Sequence, residues 1–166
     1  MILKKIKYQL GIILCVLSCS LFLPDITFAD KTEDEILSVA EGFFVALKEK
    51  RFADAWNLLT IKSKNTIVDE VYRGINKTNT KIGRDVVGEE FEKRGELFKI
   101  YWDAFSKKFD ADTVLSQSVW NIGEIKQDIS VLILRYKRSE YDSDLKIYKE
   151  DGQWRFGLVE SYWSRK

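Results

Sequence analysis

Histidine is absent from the 166 residues, cysteine occurs twice, and proline and methionine once each. Without histidine the chain lacks the side chain whose ordinary pKa lies nearest neutrality, and with it the commonest metal ligand. Both cysteines, Cys15 and Cys19, fall in the first twenty residues. The remainder therefore offers no disulfide, no thiol nucleophile and no Cys or His metal site. A surplus of charge is missing too: 27 Lys and Arg stand against 26 Asp and Glu. That balance excludes the basic excess with which a nucleic-acid binder neutralises phosphates. A Gly-rich phosphate loop, a nucleophile elbow and a basic stripe interleaved with aromatics are likewise absent, and nothing in the sequence calls for a cofactor. What is present is an apolar fraction of 45% with 13% aromatics, enough for one core at a length that suits one domain.

Residues 1–29 have the layout of a secretory signal peptide. Lys4, Lys5 and Lys7 precede an apolar run from Leu10 to Leu23, followed by Pro24 and the small-residue end Thr27-Phe28-Ala29. Cleavage is expected after Ala29, leaving residues 30–166 as a single domain in a periplasmic or extracellular setting. Val16-Leu17-Ser18-Cys19 is a looser match to a lipobox, which would lipid-anchor the chain at Cys19, but the apolar run continues past that cysteine. A retained helix is the third reading, although the run is short of the roughly 20 residues that span a bilayer. Three Lys and one Asp leave with the segment, so 24 basic and 25 acidic residues remain, a net charge of −1.

Beyond residue 30 the apolar spacing is first helical and then alternating. Thr32 to Glu35 reads as a capping box, followed by a stripe of Ile36, Val39, Ala40, Phe43, Phe44 and Leu47. A short helix carries Phe52, Ala55, Trp56 and Leu59; Ser63 is placed to cap a third, with Ile67, Val68, Val71, Tyr72 and Ile75 on one side. Residues 76–88 read as a polar loop, alone or with a short strand at Val86-Val87, in which Asn76-Lys77-Thr78 matches a glycosylation tripeptide. A helix is predicted over 89–107, with Gly95 as its weak point. Strands are predicted over 113–122, 128–138, 141–149 and 154–163, with a tight turn at Asp151-Gly152. Helices first and a strand meander second define an α+β class.

The segment Ala40 to Thr60 joins an apolar helix, the break Lys48-Glu49-Lys50-Arg51 and the run Ala55-Trp56-Asn57-Leu58-Leu59. It resembles the opening of nuclear transport factor 2-like domains, and Tyr148 to Phe156 resembles their closing hairpin. The likeness covers most of residues 33 to 163 and is closest to small exported members of unknown function. It implies N-terminal helices packed in a curved, cone-shaped antiparallel sheet. Because that superfamily spans enzymes, transport factors and accessory domains, it implies no particular activity, and no catalytic position of its enzymes matches a residue here.

Two kinds of residue remain as site candidates. Trp56, Tyr72, Trp102, Trp120 and Trp154 are placed to line a pocket for a small apolar ligand, or else to fill the core. Asp54, Asp69, Glu70 and Asp103 would serve a lyase or isomerase only if buried among aromatics, since desolvation is what lifts a carboxylate towards neutrality. Each falls one step off its helix's apolar stripe, which predicts solvated acids. The expected function is thus an exported, non-enzymatic ligand-binding or protein-interaction module, with a carboxylate-based lyase or isomerase as the alternative. Asp142-Ser143-Asp144 lacks the spacing of a calcium loop; a turn at Ser139-Glu140 would instead set Asp144 against Arg135 and Asp142 against Lys137. Finally, Ile129, Val131 and Ile133 oppose Leu132, Leu134 and Tyr136 on one strand. Both sheet faces should therefore be covered, the second by another copy of the chain.

Overall fold

A computed structural model describes residues 27–78, 81–137 and 139–163. Contacts group residues 33–166 as one unit and 1–32 as another; of the latter, 27–32 are described, as the opening turns of a helix. The rest of the segment read as a signal peptide, with Cys15, Cys19 and Pro24, lies outside the described residues.

Helices α1 (Thr27–Lys48), α2 (Phe52–Asn57), α3 (Ile61–Asn76), α4 (Arg84–Glu92), α5 (Glu96–Lys108) and α6 (Ala111–Gln117) come first. Strands β1 (Ser118–Lys126), β2 (Ile129–Tyr136), β3 (Asp142–Glu150) and β4 (Gln153–Gly157) follow, and α7 (Leu158–Tyr162) closes the order. The strands form one antiparallel sheet in the order β1-β2-β3-β4. The class is α+β, as the switch of apolar period requires. Helix α1 buries Ile36, Ala40, Phe43, Phe44 and Leu47 against the inner sheet residues Leu132, Leu134, Leu145, Ile147, Trp154 and Phe156. The Phe43 and Phe156 rings meet at 4.6 Å. Residues 58–60 run along β4: Phe156 N–H donates to Leu58 O at 2.7 Å and Thr60 N–H to Phe156 O at 3.1 Å. The open edge of the sheet is therefore β1.

Several boundaries differ from the sequence reading, each for a local reason. Thr32 and Glu35 lie inside α1, which already begins at Thr27, so the capping box starts no helix. Thr60, not Ser63, caps α3, its hydroxyl accepting from Ser63 N–H at 3.0 Å. The loop expected over 76–88 gives way to α4 from Arg84, because Val87 and Phe91, one turn apart, are both fully buried. The single helix over 89–107 is two. Arg94 adopts φ 56°, Gly95 N–H donates back to Glu90 O at 2.8 Å, and the Glu90 carboxylate packs against the bare Cα of Gly95. The chain turns at Arg94, and Gly95 caps the second helix, with the Glu90 carboxylate accepting from Leu97 N–H at 3.3 Å.

Residues 113–117 are helical rather than extended. Asp110 accepts from Thr113 N–H at 3.0 Å and from its hydroxyl at 2.6 Å, and this cap outweighs the alternating pattern. The strand expected over 154–163 stops at Gly157; beyond it the Ser161 hydroxyl accepts from Lys146 N–H at 2.8 Å, taking the place of a strand partner. The turn at Asp151-Gly152 is as read, with φ of 50° and 76°. The turn before β3 sets a register two residues from the expected one: Arg135 faces Asp142, and Asp144 faces Ile133. Arg135 grips Asp142 with two parallel bonds, 2.7 and 2.6 Å. The Asp142 carboxyl is held below its ordinary range first by these bonds. Asn76, in the glycosylation tripeptide, spends its amide on Tyr72 O at 2.9 Å and Ile82 O at 3.3 Å.

Candidate functional site

The five aromatics singled out in the sequence do not converge on one hollow. Trp56 and Trp102 are buried and meet edge to face, 6.5 Å between centroids. Around them Phe43, Phe52, Phe91, Phe98, Tyr101 and Phe105 build a continuous aromatic core. Tyr72 packs half-buried against this core from α3. Trp154 is buried on β4, with the Lys149 ammonium 5.6 Å from its ring. Trp120 stands apart. It meets Phe44 at 5.5 Å and, with Leu37, Glu41 and Leu115, lines a pocket of about 280 Å³.

The four candidate carboxylates are also separate. Asp54 is exposed and pairs with Arg51. Asp69 is half-buried and pairs with Arg84. Glu70 is exposed on α3. Asp103 is exposed as well, and lines an open pocket of about 530 Å³ beside Lys48, Lys50, Lys107 and Lys108. None sits in an apolar enclosure of the kind that prepares a carboxyl for proton transfer. Among the described residues no cluster of three or more His, Cys, Asp or Glu is placed to hold a metal ion. Within the same residues no helix is long and apolar enough to cross a membrane.

The buried carboxylate among the described residues is Glu160, at 5% exposure, in α7, where the sequence pattern predicts a strand. Its Oε1 accepts from the Thr60 hydroxyl at 2.9 Å and its Oε2 from the Ser63 hydroxyl at 2.7 Å. Ser63 Oγ in turn accepts from Val159 N–H at 3.1 Å. These groups are close to a hundred residues apart in sequence, and the network joins the start of α3 to α7. No local spacing marks it: Ser63 was visible as a capping residue, but its partner was not.

Tyr101 carries another unusual group. Its hydroxyl is buried without a hydrogen-bond partner, as are Trp102 Nε1, Ser130 Oγ and Trp154 Nε1. Burial, and secondarily the charge of Glu70, pushes its pKa well above the ordinary tyrosine range. An unfolded tyrosine ionises near pH 10 (about 10), whereas the folded one holds its proton. Its contribution to stability is therefore complete below that pH and is lost as the pH rises beyond it. Tyr101→Phe removes the orphaned hydroxyl, so the variant should gain up to about 1 kcal/mol and lose stability less steeply above pH 10. Urea titrations at neutral and alkaline pH check both; a variant with the wild-type alkaline slope would contradict the assignment.

The two faces of the sheet differ. On the inner face Ser130, Leu132 and Leu134 are buried. On the outer face Ile129 is 46% and Val119 51% exposed, while Val131 and Ile133 are half-buried. The second face of β2 is thus left partly open within one chain. Around it lie Arg135, Asp142, Asp144 and Lys146, brought alongside by the β2–β3 register, and Arg155 opposite Tyr148. No family model, curated protein or solved structure matches the chain.

Proposed function

We propose that the chain works outside the cytoplasm as a non-enzymatic interaction module of the nuclear transport factor 2-like kind, and that its outer sheet face pairs with a second copy. The observation that carries the pairing is the half-exposed row Val119, Ile133, Val131 and Ile129 on a sheet whose other face is filled. Removing such a row from water contributes about 25 cal/mol per Å² of apolar area. The rim supports a like partner in particular. A two-fold contact places each residue against a different residue of the same patch, so it needs both signs of charge within one face. Lys146 and Asp144 supply both signs on that face, while Arg135 and Asp142 already bind each other. The basic, apolar and small-residue series ending at Ala29 supports export, and helices followed by a four-stranded meander suit the proposed family.

The test is sedimentation of residues 30–166 over a concentration series. Two-chain mass at micromolar concentration is expected, and Val131→Glu should reduce it to one-chain mass while the circular dichroism of the fold is kept. A single-chain mass for the unmodified protein at high micromolar concentration would overturn the pairing.

A further inference from the structure

Away from the sheet, the ends of α1 and α4 bring an unusual set of cations to one mouth. A pocket of about 380 Å³ is lined by Lys50, Arg51, Phe52, Ala53, Asp54, Arg94, Phe98 and Lys99. Its aromatic floor is Phe52, half-buried and stacked on Trp102 at 6.0 Å and 15°; Phe98, buried beneath Arg94, meets Trp56 edge to face at 6.0 Å. Arg94 lies with its guanidinium 5.2 Å from the centre of the Phe98 ring. Three hydrogen bonds fix that guanidinium. Nη1 donates to Phe91 O at 2.6 Å and to Glu92 O at 3.0 Å, and Nη2 to Asn57 Oδ1 at 2.8 Å. All three acceptors are neutral, so the charge is oriented without being cancelled, and two of its five N–H groups stay available.

The acid of this pocket is already engaged: Asp54 pairs with Arg51, which also holds Glu49. Among the described residues Lys50, Arg94 and Lys99 have no ion-pair partner. Lys50 and Arg94 both take φ 56°, at the position after a helix where glycine is the unstrained choice. In both cases a cation stands there instead and faces the same pocket.

We infer that this pocket binds a small planar organic anion, with its ring against the half-buried Phe52 and its carboxylate, sulfonate or phosphate head against Arg94, Lys50 and Lys99. The volume suits one aromatic ring with its head group. A guanidinium fork reads a planar or tetrahedral oxyanion, and the lysines add charge without direction.

Phenyl phosphate and inorganic phosphate, titrated separately into the folded chain and followed by amide and arginine Nε NMR shifts, provide the test. Phenyl phosphate should saturate with a Kd of about 1 mM or tighter and move Phe52, Ala53, Arg94 and Lys99. Inorganic phosphate should bind roughly tenfold more weakly, because it leaves the aromatic floor unused. Lys50→Gln with Lys99→Gln should weaken phenyl phosphate at least fivefold, while Lys107→Gln with Lys108→Gln leaves it within twofold. All four lysines are exposed, so both variants are expected to fold. Equal affinity for the two anions, equal losses in the two variants, or shifts that never saturate would each overturn the site.

Discussion

Trp102→Ala should be the most destabilising single truncation in the chain, at about 3–5 kcal/mol. The side chain has no exposed surface and is the hub of the aromatic core, with Tyr101 and Phe105 both at 5.4 Å and Phe52 stacked at 6.0 Å. Its neighbours come from α1, α2 and α5, which have no common way to close over the void. The loss is a large fraction of the roughly 5–15 kcal/mol that stabilises a typical domain. Ile100, two residues earlier, is 56% exposed; Ile100→Ala should stay within about 0.5 kcal/mol. Urea unfolding separates the two: a lowered midpoint at constant slope is expected for Trp102→Ala, and a cost below about 1 kcal/mol would contradict the packing described.

Glu160→Ala should follow closely. It leaves the hydroxyls of Thr60 and Ser63 donating to nothing inside a buried site. Each orphaned group costs about 1–3 kcal/mol, so a loss near 4 kcal/mol is expected. The damage should be local as well as global. Thr60 caps α3 and Ser63 Oγ receives Val159 N–H, so amides at the start of α3 and in α7 should exchange faster than those of β2 in the same variant. Glu140 is exposed, and Glu140→Ala is the control expected to change neither. A Glu160→Ala protein of unchanged stability would mean that water replaces the carboxylate without cost.

The contrast between these two residues shows what the sequence could reveal. Trp102 announces itself through Phe98, Phe105 and Phe109, spaced at helical steps on a helix rich in aromatics. Glu160 announces nothing, since its partners lie on the far side of the chain in sequence. The same division runs through the fold. Strand β2 and the Asp151-Gly152 turn were legible because their signals are local. The break at Arg94-Gly95 reads in sequence only as a weak helical position, because the positive φ of Arg94 leaves no mark on residue type. Helix α6 hid behind an alternating pattern because one capping aspartate, Asp110, decided it. For the candidate site, apolar spacing placed Trp56, Trp102 and Trp154 inside and Asp54, Glu70 and Asp103 outside. The cation pocket stayed unseen because Lys50 and Arg94 are far apart in sequence and meet only through two helix ends.

The pairing of outer sheet faces is tested most directly by mixing chains carrying carbon-13 with unlabelled chains and recording isotope-filtered contacts between them. Intermolecular contacts are expected from the methyl groups of Val119, Val131 and Ile133 and none from Ile61 or Ile100, which are exposed elsewhere on the surface. Intermolecular contacts confined to Ile61 or Ile100, or none at a concentration where Val131 and Ile133 are fully observed, would contradict it.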